Sequence, residues 1–220
     1  MVNRRSYDDG CAYAQALDLI GERWALLVVR ELVLGPKRFT DLRAGLSGIS
    51  PNVLTQRLGE LEQAGVLRRR KLPPPAATWV YELTEWGGQL EPVIMAIGRW
   101  GARSPLLASG PMSPDALVLS FRTMFSSEAA AGIDSTYEFR FGELRYHARV
   151  ARGRFEVARG PAAVADVIVE TDPDTLAAVI YGGGEAAARK GKLKVEGSKA
   201  AYKRFLGLFP LPEKATKEPG

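Results

Sequence analysis

The chain has one cysteine and one histidine in 220 residues, and it has no long apolar run. A single cysteine excludes an internal disulfide and any cysteine-rich metal site. No stretch reaches the roughly 18 apolar residues that a membrane-spanning helix requires, and the N-terminal segment lacks the apolar core of a signal peptide. We therefore expect a soluble, cytoplasmic protein with no membrane partner, no metal site and no cofactor.

Signatures of catalysis are also missing. The sequence contains no HExxH, GxSxG, Walker or Rossmann pattern, and its carboxylates are scattered. His147 occupies a polar position of a predicted strand and has no cysteine to activate. The three glycines at 182–184 lack the strand and the Lys-Ser/Thr of a phosphate loop, so we interpret them as a flexible connection. These features predict that the chain is not an enzyme.

Composition and charge are those of a globular chain of two domains. The chain is 46% apolar and 25% charged, with a net charge of +5. Residues 1–104 carry 14 basic and 11 acidic side chains, and residues 105–220 carry 16 and 14. A small positive charge that is shared by both halves is compatible with nucleic-acid binding but does not establish it. Evidence for nucleic-acid binding therefore has to come from the local grouping of charges.

A Pro-, Gly- and Ser-rich stretch, SPLLASGPMSP, divides the chain near its middle. We predict a first domain over residues 1–104, a linker over 105–112, a second domain over 113–212 and a flexible tail over 213–220. The predicted fold class is α+β. The first domain is mostly helical with a β-hairpin, and the second is an antiparallel sheet with helices on one face.

Residues 38–84 predict a helix, a turn, a second helix and a basic hairpin. Ser50 is a suitable N-cap for the second helix, Pro51 suits its first position, and Gly65 suits its end. Leucines at helical spacing predict that one stripe of this helix is buried. The alternative is a helical hairpin that serves packing alone.

Polar side chains off the leucine stripe are of the types that bond base edges and phosphates. The first strand of the hairpin then carries four consecutive cations. An isolated charged strand would simply be solvated, but one that follows a helix-turn-helix pattern is better interpreted as a wing that contacts phosphates. The predicted DNA-binding residues are Lys37, Arg38, Ser50, Pro51, Asn52, Thr55, Gln56, Arg57, Arg68, Arg69, Arg70 and Lys71.

The segment from Cys11 to Gly101 resembles the HxlR-type winged helix-turn-helix family of bacterial transcription regulators. The resemblance lies in the runs ALDLIGERWALLVVRELVLGPKRFTDLRAGLSGISPNVLTQRLGELEQAGVLRR and YELTEWGGQLEPVIMAIGRWG. It implies a homodimer that binds a pseudo-palindromic, double-stranded DNA operator. We expect the apolar first helix and the helix from Glu85 to about Arg103 to supply both core and dimer interface. Pro92 predicts a kink or break in the latter helix.

Cys11 has two interpretations. The simpler is a small, partly buried apolar residue. In some members of the family that the chain resembles, a cysteine at this place senses oxidants or electrophiles, so the resemblance raises the possibility of a redox thiol. Those members usually have a proline after the cysteine, where this chain has Ala12. Reactivity would require an exposed thiol of lowered pKa.

The second half of the chain alternates apolar and polar residues in two stretches, which predicts an antiparallel hairpin that turns at Gly142 and Glu143. The other predicted strands are 154–158, 166–170 and 192–195. The predicted helices are 114–131, 174–181, 185–189 and 198–209. Together they predict a sheet that is apolar on one face.

The run DVIVETDPDTLAAVIYGGGEAAARKGKLKVEGSKAAYKRFLGLF resembles the lipid-binding domain of the sterol carrier protein type 2 superfamily. In that superfamily the sheet and helices enclose an apolar tunnel for sterols, fatty acids or acyl chains. The resemblance implies a small hydrophobic ligand in a tunnel walled by Phe139, Phe141, Tyr146, Leu176, Ile180, Phe205 and Phe209. A solid core fits the same residues equally well, since a pocket and a packed core have the same sequence pattern.

The sequence thus predicts a transcription regulator that binds operator DNA as a homodimer and responds to a small hydrophobic effector in its second domain. The alternative is a lipid or acyl-chain carrier, or a sequestering protein, whose winged helix serves mainly dimerisation. A third interpretation is that the second domain has lost its cavity and is a dimerisation or partner-binding module.

Overall fold

A computed structural model describes residues 6–106, 110–182 and 192–216. The chain divides into two compact units, Met1–Ile94 and Met95–Gly220, which we describe separately. The predicted helix over 185–189 and two of the three glycines at 182–184 lie outside the described residues.

The first unit is built from helices and one hairpin. Its elements are α1 (Ala12–Ile20), α2 (Ala25–Leu32), α3 (Phe39–Gly45), α4 (Pro51–Gln63), β1 (Leu67–Lys71), β2 (Trp79–Leu83), α5 (Glu85–Gly88) and the start of α6 (Glu91–Ala102). Helix α4 begins as predicted, because the Ser50 side chain accepts a hydrogen bond from the N–H of Val53 at 3.3 Å. Gly65 follows this helix at a φ of +73°, a value that glycine adopts without strain.

The predicted helix from Glu85 to about Arg103 is broken into α5 and α6, as Pro92 indicated. Thr84 caps α5 by accepting a hydrogen bond from the N–H of Gly87 at 3.0 Å. Pro92 is the second residue of α6. No intrahelical bond is lost there, because the first N–H groups of a helix have no partner within it.

The core of the first unit lies between α2, α3 and α4. The leucine stripe of α4 is buried, with Leu54, Leu58 and Leu61 at most 1% exposed. Helix α1, by contrast, contains no buried side chain. The sequence predicts that the apolar first helix supplies core as well as dimer interface, but Leu17 of α1 and Leu27 of α2 are 50% and 39% exposed and so do not belong to the core of the chain by itself.

The hairpin β1–β2 is fixed to the helices at two places. Its strands are antiparallel, with Arg69 opposite Tyr81. The backbone of Lys37 pairs with Tyr81 on the other side of β2, through N–O distances of 3.0 and 2.8 Å. The N–H of Arg69 also donates to Glu62 of α4 at 3.1 Å. The position of the hairpin is thereby tied to that of α4.

The second unit is a five-stranded sheet with helices. Its elements are the rest of α6, α7 (Pro114–Met124), β3 (Asp134–Phe141), β4 (Leu144–Ala151), β5 (Arg154–Arg159), β6 (Val167–Glu170), α8 (Pro173–Tyr181), β7 (Lys194–Gly197) and α9 (Lys199–Leu206). The strand order is β5-β4-β3-β6-β7. Helices α7 and α9 place Phe121 and Phe205 against Phe139 of β3, and Ser120 of α7 is hydrogen-bonded to Tyr181 of α8 at 2.8 Å.

The sheet is mixed, which corrects the prediction of an antiparallel sheet. Strands β3 and β6 are parallel, and the other pairs are antiparallel. The cause is the connection after β5, since residues 160–166 carry the chain past β4 to the far side of β3. Glu138 of β3 accepts a hydrogen bond from the N–H of Ala162 in this connection at 2.9 Å. Burial by itself would raise the pKa of Glu138. The hydrogen bonds from Arg140 and Ala162 outweigh burial, so the pKa is lowered.

The end of α6 belongs to the second unit, and the predicted tail is partly bound to it. A Cβ built on Gly98 would lie 3.4 Å from the Thr123 side chain of α7. The Arg99 side chain donates a hydrogen bond to the Thr123 carbonyl. The Ala215 N–H donates to the Arg103 carbonyl at 2.8 Å. The two compact units therefore meet within α6, and the predicted domain bounds stay a prediction.

Candidate nucleic-acid interface

Helix α4 presents a polar, exposed face at its N-terminal end. Ser50, Pro51, Asn52, Thr55 and Gln56 are all exposed. The Gln56 amide donates to Glu60 one turn later at 2.9 Å, which leaves its carbonyl oxygen available as an acceptor. Amide groups at these positions can pair with adenine, and hydroxyl groups with several base edges. The structure thus brings five of the predicted residues together on one surface.

Arg57 does not belong to that surface. It is 6% exposed, and its guanidinium is paired with Glu60 and lies 3.7 Å from Glu22. The prediction assumed that residues off the leucine stripe are exposed. Arg57 instead bridges α4 to the segment after α1, so it is corrected from a DNA contact to a structural ion pair.

Lys37 is the second correction. It was predicted as a phosphate contact, but it is 8% exposed and forms an ion pair with Glu31, which is fully buried. The neighbouring Arg38 is exposed, and its N–H donates to Asp41 at 3.3 Å at the start of α3. Of this pair, only Arg38 has a side chain that can reach a phosphate.

The four cations of the wing fall into two pairs, because successive residues of a strand point to opposite faces. Arg68 and Arg70 share the carboxylate of Glu82, at N–O distances of 2.8 and 2.6 Å. Partial burial by itself would raise the pKa of Glu82. The hydrogen bonds from these two arginines outweigh burial, so the pKa is lowered. One negative charge therefore offsets part of the charge on this face.

The other face of the wing carries Arg69 and Lys71. The Arg69 guanidinium lies 4.6 Å from the centre of the Trp79 ring and 6.0 Å from that of Tyr81. Lys71 is opposite Trp79 in the strand register. Stacking on aromatic rings holds a cation without neutralising it and contributes about 0.5–1 kcal/mol at an exposed site. This face is a preorganised cationic surface.

Sequence reasoning missed Trp79, Tyr81 and Glu82 as parts of the wing site. The residue types did not indicate a site, since aromatic residues such as Trp79 and Tyr81 are common in strands. The signal that could have identified them is the hairpin register, which places each of these three residues opposite one of the four cations. That register depends on the length of the loop over 72–78, which the three prolines leave undetermined.

Charge is distributed unevenly within this interface. Helix α4 carries Glu60 and Glu62 against the single cation Arg57. The wing carries four cations against Glu82. A helix of neutral polar groups beside a cationic hairpin has the two functions that DNA recognition requires, because base edges are read by hydrogen bonds and phosphates are held by charge.

The residues predicted to line a ligand pocket in the second unit pack closely against one another. Five of its seven members are in ring contact: Phe205 lies 5.3 Å from Phe139 and 4.9 Å from Phe209, and Phe141 lies 5.8 Å from Tyr146. Leu176 is buried and Ile180 is half-buried. Ring centres at such distances are in van der Waals contact. These residues therefore pack against one another in the structure described, and a ligand pocket among them stays a prediction.

A buried ion pair lies at the edge of the aromatic core. Asp115, which is 2% exposed, accepts hydrogen bonds from Arg159 at 2.9 and 2.7 Å. Burial, with the nearby Asp115 charge as a further cause, raises the pKa of Tyr146.

Cys11 is exposed immediately before α1, and its N–H donates to Asp9 at 2.8 Å. Its exposure corrects the interpretation as a partly buried residue. Thiol sensing stays a prediction, and a comparison of operator release by peroxide or a quinone in the wild type and in Cys11→Ser tests it.

Within the ranges given above, no group of histidine, cysteine and carboxylate side chains is arranged to hold a metal ion. None of the helices in those ranges has both the length and the apolar character that crossing a membrane requires.

An exposed polar helix followed by a cationic hairpin defines a winged helix-turn-helix protein. The chain belongs to the HxlR-like helix-turn-helix family of transcription regulators, whose sequence profile matches residues 19–105. It is 36% identical over 88 residues to the uncharacterized HTH-type transcriptional regulator YvaP of Bacillus subtilis (strain 168), covering 40% of this chain and 82% of that protein.

Two further comparisons concern YodB. The HTH-type transcriptional regulator YodB of Bacillus subtilis (strain 168) is 38% identical over 85 residues, which are 39% of this chain and 76% of that protein. The structure of the reduced form of YodB from B. subtilis aligns at 33% identity with a TM-score of 0.40, covering 45% of this chain and 98% of that chain. Each of these alignments covers less than half of this chain.

The second unit matches another family. A profile described as the alkyl sulfatase C-terminal family covers residues 109–215. This is not the sterol carrier superfamily that the sequence resembled, so that resemblance is not confirmed. The chain thus joins an HxlR-like regulator unit to a unit found in a differently named family.

Proposed function

We propose that the chain binds operator DNA as a homodimer, with α4 in the major groove and the wing against the phosphate backbone. The observation that carries the proposal is the separation of exposed groups. Asn52, Thr55 and Gln56 form a neutral polar face on α4, while Arg69 and Lys71 form a cationic face on the wing. The first set can discriminate bases, and the second supplies affinity that does not depend on sequence.

Helices α1 and α6 support the homodimer. Neither contains a buried side chain. On α6, Val93, Ile97 and Trp100 recur at helical spacing and are 44%, 47% and 78% exposed. On α1, Tyr13 and Leu17 are 84% and 50% exposed. Large apolar side chains grouped in this way are typical of surfaces that a partner covers. A second copy of the chain would cover them and place two copies of α4 on one operator.

We further propose that the second unit binds an effector with an alkyl chain, which alters operator affinity. The support is the name of the matched family, since alkyl sulfatases are named for sulfate esters of alkyl chains. The aromatic core would have to open to admit a chain, because its rings are in contact. An effector acts on DNA binding only if its affinity differs between two states of the protein.

Selection from a library of randomised DNA duplexes tests base reading. The wild type should enrich a two-fold symmetric sequence. Asn52→Ala combined with Gln56→Ala should relax preference at the base pairs that α4 contacts, since each good bidentate contact is worth about 1–3 kcal/mol of discrimination. Gln63→Ala, an exposed substitution at the end of the same helix, is the matched control. Failure of the wild type to enrich any sequence would contradict the proposal.

Native mass spectrometry tests the effector. A copurified compound with an alkyl chain would support it, and the released compound would then be titrated into the DNA-binding assay. If the compound binds without changing operator affinity, the proposed coupling is wrong and the carrier interpretation gains weight. An empty protein whose operator affinity does not respond to a medium-chain alkyl sulfate would contradict the effector proposal.

A further inference from the structure

Glu31 of α2 is a charged side chain in the interior of the first unit. It is 0% exposed. One carboxylate oxygen accepts a hydrogen bond from Arg30 at 2.9 Å, and the other forms the ion pair with Lys37. Burying two charges is costly even when they are paired, and apolar residues of similar size would often stabilise a fold more. A role beyond stability is therefore worth seeking for this pair.

The carboxylate also occupies a place that α3 leaves for it. Gly45 is the last residue of α3, and a Cβ built on it would overlap the Glu31 oxygen that pairs with Lys37. Any other residue at 45 would push either α3 or Glu31 away. Glu31 thus contacts the helix that precedes the turn into α4.

On its other side, the pair is connected to the wing. Lys37 has its backbone bonded to Tyr81 in both directions, at 3.0 and 2.8 Å. Tyr81 lies opposite Arg69 in the hairpin register, and its ring is 6.0 Å from the Arg69 guanidinium. A continuous series of contacts therefore joins buried Glu31 to the exposed cationic face of the wing.

We propose that Glu31 and Lys37 are positioning residues for DNA binding. They fix the wing, and through it Arg69, with respect to α3 and the turn that leads to α4. The inference rests on the proposed function, because it assigns a role in the same DNA interface. It also gives Lys37 an indirect role in place of the phosphate contact that the sequence predicted.

If the pair had a purely structural role, its removal would have a different effect on DNA binding. Replacing both residues by apolar ones, in Glu31→Leu with Lys37→Met, removes the burial cost together with the attraction and should leave the unit folded. If the pair only fills the core, DNA binding is then preserved as well. If the pair positions the wing, the fold survives while DNA binding is weakened.

A double-mutant cycle with Arg69→Ala separates the two cases. We expect the apolar double variant to melt within a few degrees of the wild type and to bind a selected duplex about tenfold more weakly. When Arg69→Ala is already present, the same double substitution should weaken binding less than about twofold, because the group that it positions is gone. The decisive readout is this non-additivity, which a loss of stability alone would not produce.

Several outcomes would overturn the inference. Binding by the double variant within about twofold of the wild type would do so, and so would an equal loss with and without Arg69→Ala. If the double variant does not fold, Glu31→Gln, which keeps the side-chain shape, enters the same cycle and is judged by the same two criteria. Absence of DNA binding by the wild type would instead contradict the proposed function, so the two failures are distinguishable.

Discussion

Two apolar regions of this molecule have similar sequence patterns and opposite environments. Helices α1 and α6 place apolar residues at helical spacing, yet neither has a fully buried side chain, although Ile20 and Ile94 pack partly against the core. The strands of the second unit alternate apolar residues, and these lie in an aromatic core in which Phe121 contacts Phe139, Phe205 and Phe209. Spacing therefore identifies the apolar face of an element, whereas only the structure shows what covers that face. We propose that a second copy of the chain covers the first region, whereas the aromatic side chains of the second region cover one another.

The largest effect should come from opening the aromatic core. Phe205→Ala should lower the free energy of unfolding of the second unit by about 3–5 kcal/mol, because it removes a fully buried ring that contacts several others. Chemical denaturation followed by intrinsic fluorescence measures this. Val164→Ala, at a position that is 81% exposed, is the control and should change stability by no more than about 0.5 kcal/mol. A loss below about 1 kcal/mol in Phe205→Ala would mean that the core can open, as a ligand-binding tunnel requires.

The next effect concerns the uncovered helices. Leu17→Glu should weaken dimerisation by at least about tenfold, since it places a charge in an apolar interface. Gln15→Glu adds the same charge to α1 at a polar position and should leave the dimer intact. Sedimentation velocity over a range of concentrations measures both. A wild type that is monomeric throughout, or equal behaviour of the two variants, would show that a second copy does not cover α1.

Both units open a helix with the same Ser-Pro device, which allows a direct comparison. Ser50 and Ser113 each accept a hydrogen bond from the N–H three residues later, at 3.3 and 3.1 Å. Substituting either by Ala should lower the stability of its own unit by about 1 kcal/mol. Only Ser50→Ala should also weaken DNA binding, because Ser50 begins the recognition helix. Thermal unfolding and duplex binding test this, and equal DNA affinity in the two variants would contradict it.

The smallest effect is a pH dependence in the second unit. Asp172 caps α8. Partial burial by itself would raise the pKa of Asp172, but the hydrogen bonds from the Thr175 hydroxyl and N–H outweigh burial and lower it. Its contribution is therefore complete above the pKa of the unfolded chain, near pH 4 or slightly below, and is lost as the pH falls through the lower pKa of the folded state. Asp172→Asn should keep the cap at neutral pH. Its stability should fall less steeply than that of the wild type on acidification, and parallel curves would refute the assignment.

Local features were predictable from the sequence. The start of α4 at Ser50 and Pro51, its end at Gly65 and the break at Pro92 all depend on the conformational preferences of single residues. The cationic wing was predictable because a run of charges cannot be buried. In these cases the determining physics lies within a few residues along the chain.

Features that depend on distant partners were not predictable. Lys37 and Arg57 have the residue types of DNA contacts, but each forms an ion pair within the fold. Lys37 pairs with Glu31 of the preceding helix, and Arg57 pairs with Glu60 and lies near Glu22 after α1. The parallel pairing of β3 with β6 was missed because it depends on the path of the connection after β5. Likewise, the contact of Phe139 with Phe205 could not be told from two walls of a cavity.

The most direct test of the central claim is the salt dependence of duplex binding, measured by fluorescence anisotropy for the wild type and for Arg69→Ala with Lys71→Ala. The wild type should bind with a steep dependence on salt. The double variant should bind more weakly with a slope reduced by roughly one to two units, about 0.9 for each phosphate that the wing no longer neutralises. Lys203→Ala, which removes an exposed cation of α9, should leave the slope unchanged. Equal slopes in the wild type and the wing variant would contradict the account.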